Sequence, residues 1–140
     1  MKTYIVDANV LMSMLISGKA IYRTLLREYV FLSSDFAFIE IDKYQEVILQ
    51  KAKLDSDSFK HFSYFLFSNL HFLPNYVIDG NVKQKAIALA SDIDIKDVAY
   101  VALSMQLDIT LLTRDQTLHD GLRKKGFRKI QMFDDFLRNA

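Results

Sequence analysis

The chain contains no cysteine, which excludes a disulfide framework and a thiolate metal site and suits a reducing compartment. It lacks a long uninterrupted apolar run. The opening MKTYIVDANV meets a charge at Asp7, so the expectation is neither a secretory leader nor a membrane span, and a cytoplasmic location. There is no linker, repeat or low-complexity tract to divide the 140 residues, a length that suits one domain with one core, here taken as residues 1–140. Net charge is nearly absent too, at a formal +1. That balance hides an uneven distribution, because Arg123, Lys124, Lys125, Arg128 and Lys129 crowd toward the carboxyl terminus while acidic residues gather before helices and after strands.

With 51% hydrophobic and 25% charged residues, the composition is that of an ordinary folded domain, neither disordered nor fibrous. Its most informative stretch runs from Asp92 to Asp115. Val98, Val101, Ala102 and Met105 recur at the spacing of one helical face, with Asp97 on the first turn. Ile109 to Leu112 is a short, nearly continuous apolar run, as in a buried parallel strand. Thr113-Arg114-Asp115 follows, which places Asp115 at a strand's carboxyl end, the rim where open α/β sheets bind ligands.

The amino terminus repeats that grammar. Tyr4-Ile5-Val6 reads as a strand, Asp7-Ala8-Asn9 as a turn, and Val10, Leu11, Met14 and Leu15 as a helix. Asp7 or Asn9 could simply cap that helix, but Asp7 occupies on the first strand the place Asp115 holds on a later one. Ser17 to Tyr29 reads as a second helix and Val30 to Leu32 as a second strand, with Ser33, Ser34 and Asp35 available as caps. In the helix that follows, Phe36, Ala37, Ile41, Tyr44, Val47 and Ile48 form an apolar stripe, and Glu40 falls inside it. A half-buried carboxylate needs a cation or a hydrogen-bond donor, and the stripe offers only the distant Lys51.

Asp55 to Ser58 opens a helix whose stripe is Phe59, Phe62, Leu66 and Leu70, with Tyr64, Phe65 and Phe67 spreading apolar surface further. It is either sandwiched inside the monomer or a face for self-association or a partner. His61 and His71 lie away from the acids. Tyr76 to Ile78 reads as an edge segment, Val82 to Ala90 and Gln116 to Lys125 as helices, the latter ended by Gly126, Ile130 to Met132 as a last strand, and Asp134 as the cap of the terminal turn. The alternation predicts an α/β domain with a central, mostly parallel sheet.

Asp7, Glu40, Asp97 and Asp115 would then share one rim. Two ionised carboxylates about 4 Å apart repel by roughly 4 kcal/mol at an effective dielectric near 20, so a cluster of four stays partly protonated or splays open without a cation. Oxygen ligands of this kind suit hard divalent cations such as Mg²⁺, and a pair of such ions can activate water and stabilise a leaving oxygen in phosphodiester hydrolysis.

The motifs IVDANVLMSMLISG, FIEIDKYQEVILQK and DIDIKDVAYVALSMQLDITLLTRD resemble those of the PIN domain, from Tyr4 to about Met132. That resemblance implies a three-layer α/β/α domain that cleaves single-stranded RNA with Mg²⁺ or Mn²⁺ as cofactor. It implies a VapC-like toxin silenced by an antitoxin partner. Asp7, Glu40, Asp97 and Asp115 match the family's acidic quartet, as catalytic residues and metal ligands, with Asn9 and Thr113 as supporting polar positions. Asp94 is either the cap of the following helix or an outer ligand. Arg114, Arg123, Lys124 and Lys125 are candidates to track the RNA backbone, and a homodimer through the Phe59 to Leu70 helix or its neighbours is a further expectation. A phosphoaspartyl receiver would carry paired acids after its first strand and a lysine after its last, where this chain has Phe133. A haloacid-dehalogenase-type phosphatase would carry aspartate in place of Asn9. A catalytically quiet RNA-binding or protein-interaction module on the same fold is the remaining alternative.

Overall fold

The computed structural model describes residues 2–140. Among them the order is β1 (Thr3–Val6), α1 (Ala8–Ser17), α2 (Ala20–Glu28), β2 (Val30–Ser34), α3 (Asp35–Lys43), α4 (Gln45–Lys51), α5 (Ser56–Ser68), β3 (Leu70–Leu73), α6 (Gly80–Ala90), α7 (Val98–Leu107), β4 (Leu111–Thr113), α8 (Gln116–Lys124), β5 (Ile130–Met132) and α9 (Phe133–Asn139). The strands form one sheet in the order β3-β2-β1-β4-β5. All four pairings are parallel, so the sheet expected to be mostly parallel is wholly so. β1 lies at its centre because Ile5 and Val6 present no surface to solvent, as a strand covered on both faces requires.

Crossovers from β1 to β2 to β3 run in one direction along the sheet, and the return from β3 to β4 reverses it. Right-handed connections then place the two sets of helices on opposite faces. Contacts agree: α1 touches α3, α4 and α5, whereas α6 touches α7 and α8. The result is a three-layer α/β/α domain. α9 closes the far side, where Phe136 meets Tyr4, Tyr29 and Phe31. The reversal between β1 and β4 opens a crevice at their carboxyl ends.

Several elements depart from the sequence reading. One edge strand is β3, Leu70–Leu73, and Asn75–Val77 is a single 3-10 turn, so the expected Tyr76 to Ile78 edge segment gives way to one further upstream. Leu70 continues the spacing of the α5 stripe, and periodicity alone does not separate the last turn of a helix from the first residue of a strand. The helix read continuously from Asp35 breaks at Tyr44, whose ψ of 15° leaves the helical range. α1 ends at Gly18 in the left-handed region, and the second helix begins only at Ala20. Met132, not Asp134, stands at the amino-terminal boundary of α9, with Asp134 and Asp135 in its first turn, where acidic side chains complement the helix dipole.

Candidate metal centre

Asp7 and Asp115 are built alike. Each closes a strand and begins a helix: the Asp7 Oδ1 accepts from the Val10 N–H at 2.9 Å and the Asp115 Oδ1 from the Leu118 N–H at 3.0 Å. Capping uses one oxygen of each. Because β1 pairs with β4, the two aspartates sit on adjacent strand ends. Thr113 joins them, its hydroxyl donating to Asp7 Oδ2 at 3.1 Å and accepting from the Asp115 N–H at 3.0 Å. That relay is held at the crevice by the backbone of the two strand ends.

Asp97 arrives from the other layer. It ends a 3-10 turn, Ile95–Asp97, and stands at the amino-terminal boundary of α7 without capping it; the sequence pattern placed it within the helix. The capping duty falls to Asp94, whose Oδ1 accepts from the Lys96 N–H at 3.0 Å. Asp97 therefore offers its carboxylate to the rim, although the residue is only 8% exposed. Asp94, Asp97 and Asp115 each place a carboxylate oxygen within 4.8 Å of the others. Asp94 is thus a cap that also stands within the tight acidic group. Asp7 and Glu40 do not belong to that group of three, yet their charges act on it.

Electrostatics carries the signature of crowded anions. Burial, followed by the charges of Asp7, Asp94, Asp115 and Glu40, pushes the Asp97 carboxyl up to about 7. Burial raises Asp7 to about 6 against the opposing hydrogen bonds from Val10 and Thr113, with the charges of Glu40 and Asp115 adding to the rise. The helix amino termini that begin beside these residues partly offset this repulsion. Proton uptake or a bound cation would relieve the remainder.

Glu40 extends from α3 into a cleft of about 280 Å³ that also exposes Asn9, Asp94, Lys96 and Asp97. The partner missing from the sequence stripe is Tyr100, whose hydroxyl donates to Glu40 Oε1 at 2.9 Å. Tyr100 and Lys96 escaped the sequence reading. The signal for Tyr100 was a phenol inside an otherwise aliphatic helix, one turn beyond Asp97, since a buried tyrosine hydroxyl needs a partner; Lys96 had none.

The basic candidates divide. Arg114 is exposed beside Asp115, and Lys124 is exposed at the far end of α8, roughly 13 Å along the helix from the rim. Arg123 instead donates to the Ile130 carbonyl at 3.1 Å. Lys125 donates to the Leu89 carbonyl at 2.8 Å and pairs with Asp92 at 2.6 Å, tying the end of α8 to α6.

The donor set fits a hard divalent cation. Three carboxylate oxygens lie within 4.8 Å of one another, hard oxygen donors of the kind such ions prefer, and the group holds neither sulfur nor imidazole. A parallel α/β/α sheet with acids at its topological switch point defines the class of open α/β folds whose ligand crevice lies outside the carboxyl ends of the strands. Within it, residues 5–133 match the PIN domain family, and the chain belongs to that family. The fold is also that of a chain in the crystal structure of VapBC2 from Rickettsia felis bound to a DNA fragment from their promoter. The two share 12% identity with a TM-score of 0.54, over 93% of this chain and 96% of that one. No curated protein matches the sequence.

Proposed function

We propose that the protein is a metal-dependent endoribonuclease that cleaves single-stranded RNA with Mg²⁺ or Mn²⁺, acting as the toxin of a toxin-antitoxin pair. The observation that carries this reading is the convergence of Asp94, Asp97 and Asp115 within 4.8 Å, backed by the buried Asp7. Asp97, Asp115 and Asp94 would hold the cation, with Asp7 and Glu40 completing the negative field from the two sides. When bound, the ion supplies a water nucleophile at neutral pH and counter-charge for the scissile phosphate. Thr113 fixes the spacing of Asp7 and Asp115, so the carboxylates are oriented before the ion arrives. Arg114, exposed at the same rim, would attract the RNA backbone toward an otherwise repellent anionic site.

PIN-family membership supports a nuclease, and the likeness to a chain of a VapBC complex supports an antitoxin protein as partner. A homodimer is a third proposed association. The test is cleavage of single-stranded RNA by the purified protein with millimolar Mn²⁺ and with chelator, alongside thermal melting under both conditions. Cleavage that requires Mn²⁺, accompanied by a rise in melting temperature and abolished in Asp115→Asn, is expected. Melting and cleavage both indifferent to Mn²⁺ and Mg²⁺ would overturn the reading and leave a catalytically quiet module.

A further inference from the structure

Tyr100 sits in the core with 1% of its surface exposed, at a place where phenylalanine would pack as well. Its hydroxyl must find a partner or remain costly to bury. That hydroxyl reaches Glu40, 60 residues away in sequence, at 2.9 Å. A carboxylate oxygen can only accept, so the phenol acts as the donor. Tyr100 belongs to α7, which packs on β1 and β2. The phenol therefore ties Glu40 of α3 to the helix layer packed on the strand that leads into the buried Asp7.

Glu40 needs such an anchor. It lies near the end of α3, which stops at Lys43, beside Phe38 and Ile39, which are 55% and 67% exposed. Its backbone is thus at the edge of the packed structure, and its long side chain has freedom to swing away from the rim. Asp7 and Asp115, by contrast, are short side chains fixed by the helix caps they make. Glu40 is held instead by a side chain from a distant part of the sequence.

We infer that Tyr100 is a positioning residue for the metal centre, its phenol holding Glu40 in the orientation that contributes to cation binding. The inference rests on the metal-dependent reading above. Binding through a positioned carboxylate is sensitive to its hydrogen-bond partner, and removal of such a partner typically costs 10–100-fold in metal affinity or activity.

The experiment is a double-mutant cycle on the full chain, with Mn²⁺ binding measured by calorimetry for wild type, Tyr100→Phe, Glu40→Ala and the double variant. Tyr100→Phe should raise the Kd for Mn²⁺ about tenfold. In the Glu40→Ala background the same substitution should change it little, because the group it orients is gone. RNA cleavage supplies a second readout: Tyr100→Phe should lower kcat with KM unchanged, since the phenol touches no substrate. A role confined to packing predicts equal effects of Tyr100→Phe in both backgrounds, and that result, or an unchanged Kd in the single variant, overturns the inference. Should Tyr100→Phe fold poorly, the wild-type protein gives an independent test. A slowly exchanging Tyr100 hydroxyl proton in NMR that vanishes in Glu40→Ala supports the tie, and one unaffected by Glu40→Ala refutes it. Wild type that binds no Mn²⁺ would overturn the metal reading itself, a failure distinct from equal Mn²⁺ affinity in wild type and Tyr100→Phe.

Discussion

At the scale of single residues, Asp97 is raised further in pKa than Asp7, the other buried acid of the rim. It caps no helix while sitting nearly buried among Asp7, Asp94, Asp115 and Glu40, which together with burial raise it to about 7. Its folded pKa lies above that of the unfolded chain, so the folded protein binds the proton more tightly. The stability it contributes is then greatest at low pH and disappears as pH rises through about 7. Metal-free protein should accordingly melt at progressively lower temperature between about pH 4 and 7, with Asp7 contributing the part below about 6. Asp97→Asn should flatten the upper part of that curve and raise the metal-free melting temperature at neutral pH and above. The same variant should lose two or more orders of magnitude in Mn²⁺-dependent cleavage. Asp94→Asn keeps a side-chain acceptor for the Lys96 N–H, so reduced cleavage with little change in melting would mark Asp94 as a ligand as well. Full cleavage by both variants would remove the third acidic position from the site. The placement of Asp97 beside Asp115 was legible in the sequence because both bracket one helix and one strand. For Asp94 the sequence left two roles open, because capping and ligation call for the same residue type at the same place.

Elements were legible where chemistry and period agreed. β1, β2, β4 and β5 each end in or lead directly to a helix start, and the alternation announced a parallel sheet. The structure corrected the reading where two periodicities ran together, at Leu70, and where a helix broke without glycine or proline, at Tyr44. It also revealed the join of α1 to α2, which depends on Gly18. Gly18 has φ of +57°, and a Cβ there would lie 2.5 Å from the Cγ and Cδ1 of Leu54. Both the left-handed backbone and the steric clash disfavour a side chain. Gly18→Ala should therefore cost about 1–3 kcal/mol in denaturant titration, with Leu54→Ala in the same chain recovering the share due to the clash. The turn lies at the opposite end of α1 from Asp7, so Mn²⁺-dependent cleavage well below the melting transition should be retained. An unchanged denaturation midpoint would show that Leu54 and the turn yield freely.

For the molecule as a whole, apolar surface and charge pose separate questions. α5 buries Phe62 and Leu66 yet leaves Tyr64 80% exposed, and Phe38 at 55% packs against Phe67 and Phe72 at the outer edge. The aromatic helix is thus partly core and partly open. If that open side mediates the proposed homodimer, light scattering at high micromolar concentration should give twice the monomer mass, and Tyr64→Ser with Phe38→Ser should restore the monomer. A monomeric wild type would sink the dimer and leave the nuclease untouched. Charge must act locally, since a net +1 provides no general attraction for a polyanion. Clustering of basic residues in the sequence pointed to Arg123, Lys124 and Lys125, but the fold commits Arg123 and Lys125 to internal carbonyls and to Asp92. Arg114 remains exposed at the rim itself. With Ca²⁺ added in place of Mn²⁺ to limit turnover, the logarithm of RNA affinity should fall linearly with the logarithm of salt. Arg114→Gln should reduce that slope by about 0.7 for each phosphate the arginine neutralises. Lys125→Gln should leave the slope alone while modestly lowering stability, because its ammonium already has partners within the fold. The reverse pattern, a slope altered by Lys125→Gln and not by Arg114→Gln, would route the RNA along the end of α8 and away from the sheet rim.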